Sequence, residues 1–174
     1  WVEADTNMTG GESLIRQFLY GKQFFKEEFG VESRLLWLPD VFGYTAALPQ
    51  IMKGCGVDYF TTQKILNPYN DCEPFPYNYF SWRGIVGSEV TAFIHEDYTA
   101  DTRPKSVINR WKNRRQKEGN ESFLYPFGYG DGGAGPTRDH LEYARRLGNL
   151  EGVPKVKICS PVDFFEERRE KGDL

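Results

Sequence analysis

Hydrophobic and polar positions along the chain follow two different periods. In residues 12–29 the apolar side chains recur close to every 3.6 residues, which predicts a helix that Gly30 ends. Further helices are predicted at 45–54, 103–118, 137–149 and 161–171. Short apolar runs predict strands at 35–38, 57–62, 79–82, 89–94, 122–125 and 156–159, and residues 1–5 are expected to be the end of a strand.

The segments between these elements are rich in glycine and proline. Residues 67–78 contain three prolines and are expected to be a loop, and Gly84 and Gly87 predict a hairpin between two strands. Elsewhere strands and helices alternate. This order favours an α/β fold with a mainly parallel sheet, formed by residues 1–174 as one domain.

Composition excludes several classes of protein. The 174 residues carry 22 Lys and Arg against 25 Asp and Glu, a net charge of -3, which argues against a nucleic-acid-binding protein. No apolar run approaches the roughly 20 residues that span a membrane. Cys55, Cys72 and Cys159 are few and far apart, which favours a reducing compartment, although sequons at Asn7 and Asn120 would permit secretion.

Carboxylates and a lysine follow the predicted strands. In parallel α/β folds, functional side chains gather at the carboxyl ends of strands. The segments in this position contain Glu3 and Asp5, Asp40, Gln63 and Lys64, and Asp131. We therefore expect a polar site at that edge of the sheet.

Two of these carboxylates have structural alternatives. Asp40 could act chemically beside Phe42 and Tyr44, whose rings suit the apolar face of a sugar, or it could cap the following helix. Asp131 lies in a glycine-rich loop that lacks the lysine of a P-loop, so it could equally be a turn or capping residue. The residue pattern leaves both alternatives open.

The chain has two histidines. His95 follows a predicted strand and could be a metal ligand or a base, whereas His140 is expected to be an ordinary helix residue. No HxH or HExxH motif is present. The residues of the chain therefore do not assemble a complete zinc site by themselves.

Residues 37–44 read WLPDVFGY and are followed by LPQIM at 48–52. This segment resembles glycoside hydrolase family 38, the α-mannosidases, and most closely the branch of bacterial and cytosolic enzymes. The resemblance covers essentially all 174 residues. It continues through WVEAD at 1–5, GESLIRQ at 11–17, TQK at 62–64, Phe80, Trp82 and Gly84, and GDGG at 130–133.

The resemblance implies a fold and a reaction. The chain would be the central part of a seven-stranded β/α barrel, incomplete at both ends. The enzyme would be a retaining, zinc-dependent α-mannosidase acting on mannose-containing oligosaccharides. Asp40 would be both nucleophile and zinc ligand, and Asp131 the acid/base residue. Lys64 would steady the carboxylates, and Phe42 and Trp82 would form a stacking wall for the substrate.

The resemblance also implies what lies elsewhere. The remaining zinc ligands are expected outside residues 1–174, so this fragment alone should bind zinc weakly and leave mannosides uncleaved. The branch favours a cytoplasmic location, and the sequence is compatible with a homo-oligomer of the full-length protein. Two other functions remain open at this point: a metal-dependent carbohydrate deacetylase and a non-catalytic carbohydrate-binding module.

Overall fold

The computed structural model describes residues 1–66, 73 and 75–172. The chain divides into two compact units, Trp1–Ile94 and the residues from His95 onward. The elements of the first unit, in chain order, are α1 (Gly11–Phe29), β1 (Leu35–Leu38), α2 (Leu48–Gly54), β2 (Tyr59–Thr62), a 3₁₀ turn (Lys64–Leu66), β3 (Tyr79–Arg83) and β4 (Glu89–Ile94).

The first unit contains a four-stranded sheet in the order β1-β2-β4-β3. The first three strands in this order are parallel, and β3 pairs antiparallel with β4 to form the predicted hairpin. The mixed α/β fold predicted from the sequence is therefore confirmed, with β3 as an antiparallel edge strand.

One face of the sheet packs against α2. Phe60 and Ala92 on neighbouring strands lie next to Leu48 and Met52 of the helix, and all four side chains are at most 2% exposed. Pro49 stands in the first turn of α2, where the missing N–H breaks no helical hydrogen bond. The helix accordingly begins at Leu48, three residues later than predicted.

The second unit is helical, with α3 (Pro104–Asn113), α4 (Arg138–Leu147) and α5 (Pro161–Glu170). Helices α4 and α5 begin with capping boxes, in which Thr137 pairs with His140 and Ser160 with Asp163.

Helix α3 is shorter than the predicted 103–118. Arg114 leaves the helical backbone, and its guanidinium group stacks 3.6 Å from the centre of the Trp111 ring and binds the Trp111 carbonyl.

Three strand predictions are wrong. Residues 122–125 and 156–159 have no strand structure, and residues 1–5 are irregular, followed by a single bridge between Thr6 and Tyr44. A strand is stable only beside a partner strand, and local composition does not specify one. Most of the predicted loop 67–78, including Cys72, lies outside the described residues.

No helix in the described part of the chain combines the length and the apolar character needed to cross a membrane.

A buried arginine holds the second unit together. Arg168 on α5 is 1% exposed. Its guanidinium group donates to the side chain of Asn120 at 2.7 Å, to the hydroxyl of Ser122 at 3.1 Å and to the carbonyl of Gly119 at 3.3 Å. Because a buried guanidinium must be hydrogen-bonded, the irregular segment 119–122 and helix α5 depend on each other.

We predict that Arg168→Ala lowers the free energy of unfolding by about 3 kcal/mol, because it leaves the buried side chain of Asn120 without its donor. Hydrogen exchange followed by mass spectrometry should show faster exchange in 116–125. The matched control is Arg169→Ala, whose side chain is 63% exposed and pairs with Glu166, and which should cost at most about 0.5 kcal/mol. Equal effects of the two substitutions would contradict the prediction.

Candidate active site

The register of two parallel strands brings Asp40 and Lys64 together. Leu38 at the end of β1 pairs with Thr62 at the end of β2, and each candidate residue follows two positions later. The Nζ atom of Lys64 lies 2.8 Å from Oδ1 of Asp40. Asp40 and Lys64 thus form an ion pair at the edge of the sheet where both residues were predicted to lie.

The ion pair lies beside an exposed aromatic ring. The side chain of Lys64 is 17% exposed and that of Asp40 is 43% exposed, so the carboxylate is the more accessible partner. The ring of Phe42 is 68% exposed, and Nζ of Lys64 lies 5.4 Å from its centre. An accessible carboxylate next to an open aromatic face can receive a sugar ring.

The amino-terminal segment supports the loop that carries Asp40. Glu3 accepts a hydrogen bond from the backbone N–H of Asp40 at 2.8 Å, and the hydroxyl of Thr6 donates to the carbonyl of Gly43 at 2.9 Å. A side chain at Gly43 would place its Cβ 3.1 Å from Cβ of Asn7. The loop 40–44 is therefore packed closely against residues 3–7.

Asp5 has a local structural role. Its carboxylate accepts hydrogen bonds from the backbone N–H groups of Met8 and Asn7, both at 2.9 Å. These bonds hold the pKa of the Asp5 carboxyl below its usual value. Asp5 shapes the turn before α1, whereas Glu3 contacts the loop of Asp40.

Tyr44 connects the two strand ends that carry the ion pair. Its hydroxyl donates to the carbonyl of Val41 at 2.7 Å and is hydrogen-bonded to the hydroxyl of Thr62. Burial raises the pKa of Tyr44 to about 12, and the nearby charges of Glu3 and Asp40 act in the same direction. The hydroxyl is therefore neutral at physiological pH.

Asp131 lies in the second unit, on a loop fixed by the turn after β4. The backbone N–H of Gly128 donates to the carbonyl of Ala100 at 3.1 Å, and a Cβ at Gly130 would lie only 2.4 Å from Cγ2 of Thr99. Asp97 in turn accepts hydrogen bonds from the N–H and hydroxyl of Thr99. Gly130 is needed for this close approach, which determines where Asp131 stands.

The backbone of Asp131 is in the left-handed region, with φ of 50°. Aspartate adopts this conformation more readily than most residues, and Gly132 follows with φ of 77°. The side chain of Asp131 is exposed. The loop thus presents a carboxyl group to solvent on a tightly constrained backbone.

The structure does not bring Trp82 to the edge that carries Asp40. Trp82 pairs with Val90 at the amino-terminal end of β4, four residues before Ile94, which corresponds to roughly 13 Å along the strand. Its ring packs 5.1 Å from that of Phe60, against the core under α2.

The histidines are both buried. His95 is 0% exposed, and burial lowers its pKa to about 4, so its ring is neutral near pH 7. His140 is 8% exposed and forms the capping box with Thr137. His140 is therefore a packed helix residue.

The described residues do not fit a complete zinc site. Among them, no three His, Cys, Asp or Glu side chains lie close enough together to hold a metal ion. Asp40 offers one carboxylate, whereas zinc in proteins is held by three or four ligands.

The sequence pattern did not single out two supporting residues, Thr62 and Thr99. Thr62 is 0% exposed at the end of a buried strand. Its signal was a polar residue at the end of a strand that is buried along its whole length, directly before the candidate pair Gln63 and Lys64. Thr99 carried no such signal, because its importance comes from a glycine 31 positions away.

Comparison with known proteins agrees with this architecture. The chain is 41% identical over its whole length to alpha-mannosidase 2C1 of Mus musculus, 40% identical over 95% of its length to an alpha-mannosidase of Saccharomyces cerevisiae, and 42% identical over 96% of its length to alpha-mannosidase G of Dictyostelium discoideum. It spans 17%, 16% and 15% of the lengths of these relatives.

Similarity of structure supports the fold. The crystal structure of an alpha-mannosidase from Enterococcus faecalis V583 superposes on 98% of this chain with a TM-score of 0.77 at 17% identity, and the match covers 20% of that protein. The family model of the N-terminal domain of glycosyl hydrolases family 38 matches residues 1–173. The chain therefore belongs to glycosyl hydrolase family 38.

Proposed function

We propose that this chain contributes two catalytic carboxyl groups, Asp40 and Asp131, to a retaining glycosidase that removes terminal α-mannosyl residues from oligosaccharides. The observation that supports this most directly is the ion pair of Asp40 and Lys64 beside the exposed ring of Phe42. Membership of the family and the names of the relatives support an α-mannoside as substrate.

In the proposed reaction the carboxylate of Asp40 attacks the anomeric carbon as the bond to the leaving oxygen breaks. The carboxyl group of Asp131 gives its proton to that oxygen. A water molecule then gives a proton back to Asp131 and attacks the anomeric carbon, which releases mannose and regenerates Asp40. Retaining glycosidases need two carboxyl groups about 5–5.5 Å apart for these two reaction steps.

Lys64 has two functions in this proposal. Its ammonium group holds the attacking carboxylate in an ion pair at 2.8 Å. Its contact also restricts where the carboxylate can point, and correct orientation lowers the barrier to attack. Phe42 then offers its exposed ring to the apolar face of the sugar.

The proposal extends to the surroundings of the site. The four-stranded sheet would be part of a seven-stranded β/α barrel in the full-length protein. Zinc, with Asp40 as one ligand and the others from outside residues 1–174, remains part of the proposal. The free thiols of Cys55 and Cys159 support a cytoplasmic location.

The nucleophile can be identified by trapping. We expect a 5-fluoro-mannosyl fluoride to add one sugar to the full-length protein, at Asp40, because fluorine slows hydrolysis of the intermediate. Asp40→Ala should show no adduct and lose about 10⁴-fold or more in kcat. Intact mass and peptide mapping measure the adduct.

Asp5→Asn is the matched control for this experiment, because the amide can still accept the turn hydrogen bonds. It should be labelled and active like the unsubstituted protein. Labelling at another residue, or cleavage without any adduct, would contradict the role of Asp40. Full sugar binding and undiminished function in Asp40→Asn would instead indicate a binding module.

Asp131 can be tested through the leaving group. Asp131→Asn should slow cleavage of a methylumbelliferyl mannoside about 10³-fold, but should affect formation of the intermediate from a dinitrophenyl mannoside far less, since that leaving group needs no proton. Asp139→Asn, an exposed carboxylate in the first turn of α4, is the control and should affect neither substrate. Equal losses on both substrates would exclude Asp131 as the general acid.

The packing of Gly130 predicts a rescue. Gly130→Ala should lower kcat on the methylumbelliferyl substrate about tenfold, because the new methyl group collides with Cγ2 of Thr99. Thr99→Ser removes that atom and keeps the hydroxyl that Asp97 binds, so the double variant should regain most of the activity. Gly135→Ala, with open space around its Cβ, is the control. A double variant as slow as Gly130→Ala would contradict this account.

A further inference from the structure

We propose that Tyr44 is a positioning residue for the nucleophile, acting through its hydroxyl group, which holds the Asp40 loop against the strand end that carries Lys64. This inference rests on the proposed function of Asp40. It adds a residue that touches neither the substrate nor the reacting atoms.

The hydroxyl of Tyr44 joins the two strand ends that the ion pair depends on. Its proton is donated to the carbonyl of Val41, the residue directly after Asp40. Because the hydroxyl has a single proton, Thr62 is the donor in the second bond, from the end of β2 two residues before Lys64. One oxygen atom thus fixes both backbone segments.

These hydrogen bonds are shielded from water. Val41 is 6% exposed and Thr62 is 0% exposed. Hydrogen bonds in such surroundings are stronger than at the surface, and leaving one partner unpaired is costly. Because the pKa of Tyr44 is about 12, the hydroxyl does not ionise in the working range of an enzyme.

The ring of Tyr44 is fixed independently of its hydroxyl. It packs edge-to-face on Phe60 with 5.3 Å between ring centres, and the backbone of Tyr44 forms a bridge with Thr6. Phenylalanine at this position would keep both contacts. Tyr44→Phe therefore removes the connection between the strand ends while the core under it stays filled.

Without the hydroxyl, the loop keeps only the hydrogen bonds of Asp40 to Glu3 and of Thr6 to Gly43 among those described above. Asp40 could then shift relative to Lys64, and a displacement of 1 Å at a reacting group can cost on the order of 10²-fold in rate. The binding of the sugar would change little, since the hydroxyl is not part of the surface that Phe42 offers.

The test measures inactivation of the full-length protein by a 5-fluoro-mannosyl fluoride. The limiting rate constant reports attack by Asp40, and the half-saturating concentration reports binding. For Tyr44→Phe and for Thr62→Val we expect the limiting rate to fall about tenfold and the half-saturating concentration to stay within twofold. The double variant should be no slower than either single one, because both substitutions break the same connection.

Two further variants separate positioning from general stability. Thr62→Ser keeps a hydroxyl on β2, so its limiting rate should equal that of the unsubstituted protein. Tyr125→Phe removes another half-buried tyrosine hydroxyl, which donates to the carbonyl of Asp101 at 2.7 Å and has a pKa also raised to about 12 by burial. It controls for the loss of such a bond and should leave the limiting rate unchanged.

The outcomes distinguish this inference from the proposed function. Labelling of the unsubstituted protein at Asp40, with unchanged limiting rates in Tyr44→Phe and Thr62→Val, would overturn the role of Tyr44 and leave the nucleophile in place. Labelling at another residue would overturn the proposed function, and the role of Tyr44 with it. If Tyr44→Phe fails to fold, the comparison of Thr62→Val with Thr62→Ser decides, and equal rates for these two overturn the inference.

Discussion

The in-register parallel pairing of β1 with β2 is the constraint on which the candidate site depends. Leu38 pairs with Thr62, so the residues two positions after each of them lie at the same edge of the sheet. A slip of one residue would turn every side chain of a strand to the opposite face of the sheet. Burial of Phe60 and Leu38 against α2 therefore fixes the register, and the register fixes the ion pair of Asp40 and Lys64.

Different contacts hold the loops that carry the two candidate carboxyl groups, Asp40 and Asp131. The Asp40 loop is held to segments distant in sequence by the hydrogen bond that the N–H of Asp40 donates to Glu3 and by the hydrogen bond between Thr62 and Tyr44. The Asp131 loop is held by the hydrogen bond of Gly128 to Ala100 and by the packing of Gly130, which lies where no side chain fits beside Thr99. Both candidate carboxyl groups therefore stand on backbone segments whose positions are fixed by other parts of the chain.

The parts of the fold that local patterns could predict are those whose partners lie close by in the chain. The hairpin of β3 and β4 and the end of α1 at Gly30 follow from neighbouring residues. Residues 122–125 and 156–159 are also apolar but form no strand. A strand needs a neighbouring strand to pair with, and local composition does not specify that neighbour. Likewise Asp40 and Lys64 could be selected from motif and position, whereas the hydrogen bond between Thr62 and Tyr44 joins residues 18 positions apart that no sequence pattern pairs.

The burial of Asn120 has a consequence for covalent modification. Its side chain is 1% exposed, with its oxygen bound by Arg168 and its amide nitrogen donating to the carbonyl of Gln116. A glycan on that nitrogen would have no room in the folded unit and would separate Asn120 from Arg168. Asn120 thus serves as internal structure, and the match of the triplet Asn120-Glu121-Ser122 to a glycosylation signal carries no information about the compartment in which the protein works.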